Sequence, residues 1–349
     1  MPTDAPSAKS YEESWLDSFI ELFTLCGART DETITLLTET QSRQINIELA
    51  RDALTGMKLA HRIITVAGKA PNSGPIIRST GASNALAGET AAVARLVAAD
   101  LVIDLTVEGL MHSVQTPGIL AAGTRIMSIS NEHPDILARL APDPDLKPIV
   151  KDAVARCRSA TEMQVTSAAG TNLSVAMTNT VTVGVWGWTD RAGTLAHWPG
   201  GLVVSFPNAA TANGRLVFKP GDINLTFKRY FESEVICQIE DDFITSIEGN
   251  GSDARLMRHY LDGFDDALAY ATSHVGWGLN PVARYEALCM YDRDDLNGTE
   301  LRALAGNFLY STGANEFAGR FTEGHFDLPM MDCTIRLDGA VAVDDGRPV

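Results

Sequence analysis

The amino-acid sequence predicts a mixed α/β plus α+β fold: an N-terminal α/β domain on a parallel sheet, residues 1–160, followed by a mainly antiparallel, β-rich domain, residues 161–349. Three observations point there. Before residue 160, short apolar runs are separated by stretches of about ten residues with helical periodicity, which implies crossover connections and a sheet covered on both faces. After Ser159 the helical spacing gives way to short strand-like runs, several of them divided by turn dipeptides. With 349 residues and 45% hydrophobic content, the chain can bury a large core, and its length suggests two domains.

The elements follow in order. Residues 1–10 are polar and read as disordered. Trp15, Phe19, Leu22 and Phe23 mark a helix beginning near Tyr11, which Gly27 suits as an end. Residues 33–37 then read as a buried strand, 43–57 as a helix and 63–66 as a second strand. The alternation continues with a helix over 89–98, a strand over 101–105, a helix over 116–122 and a strand over 125–129, closed by helices across 133–158. Beyond this, 163–185 is rich in Thr and Val, and 202–206, 215–218, 223–227, 233–239 and 243–248 read as strands. Asn213-Gly214, Pro220-Gly221 and Asn250-Gly251 read as turns between them. A helix over 253–271 leads to His274. Segments 334–337 and 340–343 form a hairpin around Asp338-Gly339, because Asp-Gly suits a two-residue type I′ turn.

Composition narrows the function. A net charge of −16 and a pI near 4.8 oppose binding to nucleic acid or to an anionic membrane surface. Cys26, Cys157, Cys237, Cys289 and Cys333 are scattered and odd in number, with no C-x-x-C pair, which argues for reduced thiols in the cytoplasm. The N-terminus has no apolar h-region, and no apolar run reaches the ~18 residues that span a bilayer. The expectation is a soluble cytoplasmic protein.

Chemistry concentrates near the C-terminus. In Gly324-His325-Phe326-Asp327-Leu328-Pro329, side chains two apart in an extended strand leave on one face, so His325 and Asp327 can aim an imidazole and a carboxylate at one point. His274 lies upstream in Ser273-His274-Val275-Gly276-Trp277-Gly278-Leu279-Asn280-Pro281, whose glycines and proline suggest a turn that brings the imidazole to a fixed spot. Two histidines and one carboxylate on one side of an ion, with other positions open, is the arrangement of non-haem Fe(II) sites that bind substrate and dioxygen together. An H-x-D triplet is also a common hydrogen-bonded surface pair, and a lone histidine is often a cap or a core residue. Spacing alone does not separate these readings.

The stretches "SHVGWGLNP", "NFLYSTGAN", "GHFDLP" and "AHWPGG" resemble the 2,5-dihydroxypyridine 5,6-dioxygenases of bacterial N-heterocycle degradation. The likeness runs from about residue 90 to the end and is densest over 263–338. It implies a mononuclear Fe(II) held by His274, His325 and Asp327 in the C-terminal domain, dioxygen as co-substrate, and cleavage of the pyridine between C5 and C6 to N-formylmaleamate. It implies His197, in Ala196-His197-Trp198-Pro199, as the catalytic acid/base. It places His112, in Leu110-Met111-His112-Ser113, as a second active-site histidine on the substrate side, although the residues just before it depart from the pattern. Trp277 and Trp198 are candidates to wall an aromatic pocket, and Ser311 to bond a ring substituent. The implied partners are a small aromatic N-heterocycle and further copies of the chain in a homo-oligomer. His61, His133 and His259 read as surface or capping residues. The alternative is a metal-dependent hydrolase, since the family also resembles the aminopeptidase T clan, whose two-metal sites use glutamates; Glu286 and Glu323 are the nominees here.

Overall fold

The computed structural model describes residues 11–68 and 81–349. Residues 1–10, read above as disordered, lie outside the described residues. Helix Glu13–Leu25 buries Phe19, Leu22 and Phe23, spaced three and four apart on one stripe. It packs beside helix Gln44–Gly56, which buries Leu49, Ala50, Ala53 and Leu54. Both belong to the main core with strands of the first sheet.

That sheet is parallel. His61–Val66, Ile34–Glu39, Leu101–Asp104 and Arg125–Ile129 lie side by side in that order, and Leu195–Trp198, from beyond residue 160, adds a fifth parallel strand. Helices Gln44–Gly56, Thr90–Val97 and Thr116–Ala121 lie in the connections between consecutive strands, as parallel pairing requires. The strand order reverses direction between Ile34–Glu39 and Leu101–Asp104, so the loops leaving their carboxyl ends diverge and open a crevice.

Two large antiparallel sheets and a two-stranded ribbon, Ile223–Asn224 with Arg229–Tyr230, make up the rest of the framework among the described residues. The larger has eight strands and includes the hairpin Cys333–Leu337 and Ala340–Asp344, beyond which Arg347–Pro348 forms the edge. Asp338 and Gly339 have φ of +47° and +84°, as a type I′ turn demands. The smaller has five strands in the order Asp327–Met330, Phe308–Thr312, Thr272–Gly278, Leu202–Phe206 and Val181–Val185. The chain crosses from the parallel sheet to this one through Pro199, Gly200 and Gly201, after a cis Trp198–Pro199 peptide. Gly200 is obligatory at the crossing, since a Cβ there would lie 2.1 Å from the Gly187 nitrogen. Among the described residues no helix is long and apolar enough to cross a membrane.

Several expectations need correction. His274 does not sit in a turn. It lies in the strand Thr272–Gly278, and its glycines serve close packing: a Cβ on Gly276 would lie 1.9 Å from the Val203 carbonyl oxygen, and one on Gly278 2.2 Å from that of Leu304. The helix over 253–271 stops at Asp262, and after Asp265 at φ +50° the chain forms only a short 3-10 turn, Ala267–Tyr270, capped by the Asp266 carboxylate. Asn213-Gly214 is no turn either. Both residues lie inside strand Ala212–Phe218, where a Cβ on Gly214 would meet the Asn172 carbonyl oxygen at 2.2 Å. The strand expected over 223–227 shrinks to Ile223–Asn224.

Candidate metal centre and active site

The smaller antiparallel sheet delivers two donors. His274 projects from Thr272–Gly278 beside a register shift against Phe308–Thr312, and Asp327 opens the strand Asp327–Met330. His325 lies two residues before Asp327, with its carbonyl held by the Tyr260 hydroxyl at 2.9 Å and the Thr226 hydroxyl at 3.2 Å. Asp327 Oδ1 lies 3.5 Å from His274 Nε2 and 3.3 Å from His325 Nε2. Donors at about 2.1 Å from a divalent transition ion, at right angles, stand about 3.0 Å apart, so the trio is close to a chelating arrangement.

Hydrogen bonds fix which ring atoms are available. The Ser273 hydroxyl donates to the Ala314 carbonyl, so its oxygen accepts from His274 Nδ1, 3.0 Å away, and His274 Nε2 keeps its lone pair. His325 Nδ1 is buried with no hydrogen-bond partner among the described residues, while Nε2 is the ring atom that faces Asp327. Burial holds the His274 and His325 pKa values below the usual imidazole range, which keeps both rings neutral and able to ligate. Burial alone would raise the Asp327 carboxyl, but Arg302 and then His325 override it and hold it well below the usual range. Arg302 Nε donates to Asp327 Oδ2 at 2.6 Å, and the Ser311 hydroxyl donates to Oδ1. Neutral imidazoles with one anionic carboxylate suit a divalent first-row transition ion.

The crevice of the parallel sheet faces this trio. His112, on the segment after Leu101–Asp104, places its ring centroid 5.0 Å from that of His325 and 5.7 Å from that of His274. Its Nδ1 is 3.3 Å from Glu316 Oε2, and donor atoms of His112, His274 and His325 all lie within 4.8 Å of one another. His197, on the fifth parallel strand, donates from Nδ1 to the Pro199 carbonyl at 2.7 Å, leaving Nε2 for the site. Burial first, and then Arg302, lowers its pKa to about 4. His112, His197, His274, Arg302 and Asp327 line one inner cavity of about 80 Å³.

The segment that carries His112 is held by buried acid. Asp104 Oδ1 accepts from the Thr106 N–H at 3.0 Å and hydroxyl at 2.6 Å, while Oδ2 accepts from the Leu110 N–H at 2.9 Å and the Ser128 hydroxyl at 3.1 Å. Glu39 Oε1 takes the Val107 N–H at 2.6 Å.

The structure thus brings together His274, His325, Asp327, His112, His197 and Ser311. Trp277 and Trp198 are in the main hydrophobic core instead, with the Trp198 indole donating to the Leu140 carbonyl. Apolar walls around the inner cavity come from Val183, Val185, Leu202, Val204 and Leu309. Glu286 is exposed, and Glu323 accepts from Asn84; neither belongs to the histidine group. Sequence reasoning missed Arg302 and Glu316. A buried arginine demands an acidic partner, but that signal is readable only once burial is known.

The chain as a whole is similar to known proteins. Residues 14–349 match the family described as NicX, 2,5-dihydroxypyridine 5,6-dioxygenase. A curated 2,5-dihydroxypyridine 5,6-dioxygenase of Pseudomonas putida KT2440 is 40% identical over 267 residues, 76% of this chain and 75% of that protein. The solved structure of 2,5-dihydroxypyridine dioxygenase from Pseudomonas putida KT2440 superposes with a TM-score of 0.89 at 34% identity, covering 96% of each chain. AmpT from Thermus thermophilus has a TM-score of 0.60 at 13% identity over 96% of this chain and 99% of its own, a likeness of fold alone.

Proposed function

The chain belongs to the 2,5-dihydroxypyridine 5,6-dioxygenase family, and from that premise we propose that it opens a hydroxylated pyridine such as 2,5-dihydroxypyridine between C5 and C6, with dioxygen as co-substrate, to N-formylmaleamate. The observation that carries the reading is the meeting of His274 and Asp327 with His197 and His112 around one small cavity, with His325 grouped beside His112 and His274. In this reading His274, His325 and Asp327 hold Fe(II), and His112 faces the substrate. When bound, Fe(II) supplies the redox centre that lifts the spin barrier between dioxygen and a closed-shell ring.

The chain's own residues handle charge and protons. His197 meets the substrate neutral, because its pKa of about 4 lies well below working pH. Its Nε2 takes the proton of the 5-hydroxyl. Nδ1 is committed to the Pro199 carbonyl, so the proton stays at Nε2 until it is returned as the O–O bond breaks. Arg302 keeps Asp327 anionic and oriented, and Ser311 holds the other carboxylate oxygen. His197 and Asp327 are themselves buried, which limits their contact with bulk water. The same reading carries a cytoplasmic homo-oligomer, consistent with five free cysteines.

The test is anaerobic loading of the metal-free protein with Fe(II), or with Zn(II) as control, followed by oxygen-electrode assays on a panel of hydroxypyridines. Fe(II)-dependent oxygen uptake with formation of N-formylmaleamate is the expected result; peptide turnover with Zn(II) and no oxygen uptake would overturn it. A His197→Ala variant should retain iron and lose ~10²- to 10⁴-fold in turnover.

A further inference from the structure

Beside the inner cavity lies a larger one of about 670 Å³, and Met111, His112, Val183 and Val185 form a wall common to both. Trp186, Trp188, Phe206 and Phe317 give the larger cavity flat apolar surfaces. Its charge comes mostly from one face of helix Leu146–Ser159. Lys147, Lys151, Val154 and Arg158 recur at the spacing of a single helical stripe and all line the cavity, while Val150, Ala153 and Cys157 are buried. Gly184 lets this helix approach the strand Val181–Val185, since a Cβ there would lie 2.5 Å from Val150 Cγ1. Arg191 adds a fourth cation, against Asp190 and Glu316, so the lining has a formal surplus of two positive charges in a chain of net −16.

These cations are tied to the walls. The Lys147 ammonium lies 5.1 Å from the Trp186 ring and 5.6 Å from that of Trp188, and pairs with Asp190. Lys151 stands 5.9 Å from the Trp186 ring, and Arg158 Nη2 donates to the Thr182 carbonyl at 2.8 Å.

We propose that this outer cavity is a binding site for small organic carboxylates, through which the ring-opened product leaves. The proposal rests on the dioxygenase reading above. In that reaction both atoms of O₂ enter the ring: the C5–C6 bond breaks, C5 becomes a carboxyl carbon and C6 a formyl carbon, and the carboxyl proton is lost at neutral pH. A neutral ring therefore becomes an anion inside an acid-rich protein whose overall field opposes it. The neighbouring cationic stripe offsets that field locally, and the indole faces suit a flat conjugated amide.

The experiment measures binding of maleamate and of nicotinate to the metal-free full-length protein by calorimetry, so turnover is not needed. Maleamate should bind wild type and bind about tenfold more weakly to Lys151→Glu/Arg191→Glu, whose two positions are exposed and outside the inner cavity. A Lys151→Gln variant should show a smaller loss in the same direction, and 0.5 M salt should weaken binding in wild type. In the Fe(II) enzyme, inhibition by added N-formylmaleamate should weaken by the same factor as maleamate binding. Equal maleamate affinity in wild type and variants, no maleamate binding, or binding of nicotinate alone would overturn the exit-site assignment. Maleamate binding that depends on Lys151 and Arg191, in a protein that cleaves no hydroxypyridine, would uphold the carboxylate site and sink only the dioxygenase reading.

Discussion

Replacing Asp104 by Asn tests how the parallel sheet holds His112. The carboxylate is fully buried and faces four donors, two on each oxygen. Burial pushes its pKa up, and the donors work in the opposite direction. An asparagine amide must turn its NH₂ toward either the Leu110 N–H or the Thr106 N–H. A hydroxyl can reverse to accept, whereas a backbone N–H cannot, so one backbone donor is left unpaired in either orientation. With the loss of charge assistance, the cost is about 2–3 kcal/mol. Urea denaturation should show that loss as a lower midpoint at unchanged slope. Iron content should stay near wild type, because the proposed ligands sit on and beside the antiparallel sheet. Turnover should fall by about 10²-fold as His112 loses its fixed position. An unchanged midpoint would refute the hydrogen-bond accounting; a normal midpoint loss with turnover within twofold of wild type would refute the claim that this segment sets the working geometry.

The remaining predictions concern the ion and its surroundings. His325→Ala should abolish stoichiometric iron binding and ring cleavage while circular dichroism stays native; full iron occupancy would remove this residue from the ligand set. Arg302→Leu leaves the Asp327 carboxylate buried without its cation, so the metal-free protein should lose about 3–5 kcal/mol of stability and the iron-loaded protein distinctly less, as read by anaerobic thermal melts. Equal losses in both states would show that the ion and Arg302 do not share the same carboxylate. His197 has a folded pKa of about 4, below the ~6.5 of an unfolded histidine, so the unfolded chain binds the extra proton between those values. Its contribution is therefore steady above pH 6.5 and erodes as pH falls toward 4, by about 3 kcal/mol in all. The difference in unfolding free energy between metal-free wild type and His197→Gln should follow that slope, and a flat difference would contradict a buried neutral imidazole.

Local patterns were legible in the sequence where local physics decides the outcome. Strand Arg125–Ile129 and the Asp338-Gly339 hairpin follow from an apolar run and a turn dipeptide, and the structure has both. The glycines around His274 misled because a sequence shows only that glycine permits unusual geometry. Whether it permits a bend or a close approach to Val203 depends on a neighbouring strand far away in the chain. The meeting of His274, His325 and Asp327, the proposed ligands, could be anticipated because His325 and Asp327 are two apart and the motif around His274 resembles a family. Arg302 and Glu316 were not, since their meaning lies in partners that only tertiary packing supplies.

The three-residue crossing at Pro199, Gly200 and Gly201 ties together two sheets with separate duties. In the proposed reading one seats the ion, and the other carries His197, the acid/base. Mutation can thus alter the acid-base half while the ion's seat persists, or the reverse, so natural selection can tune each half-site in turn without first dismantling a working enzyme.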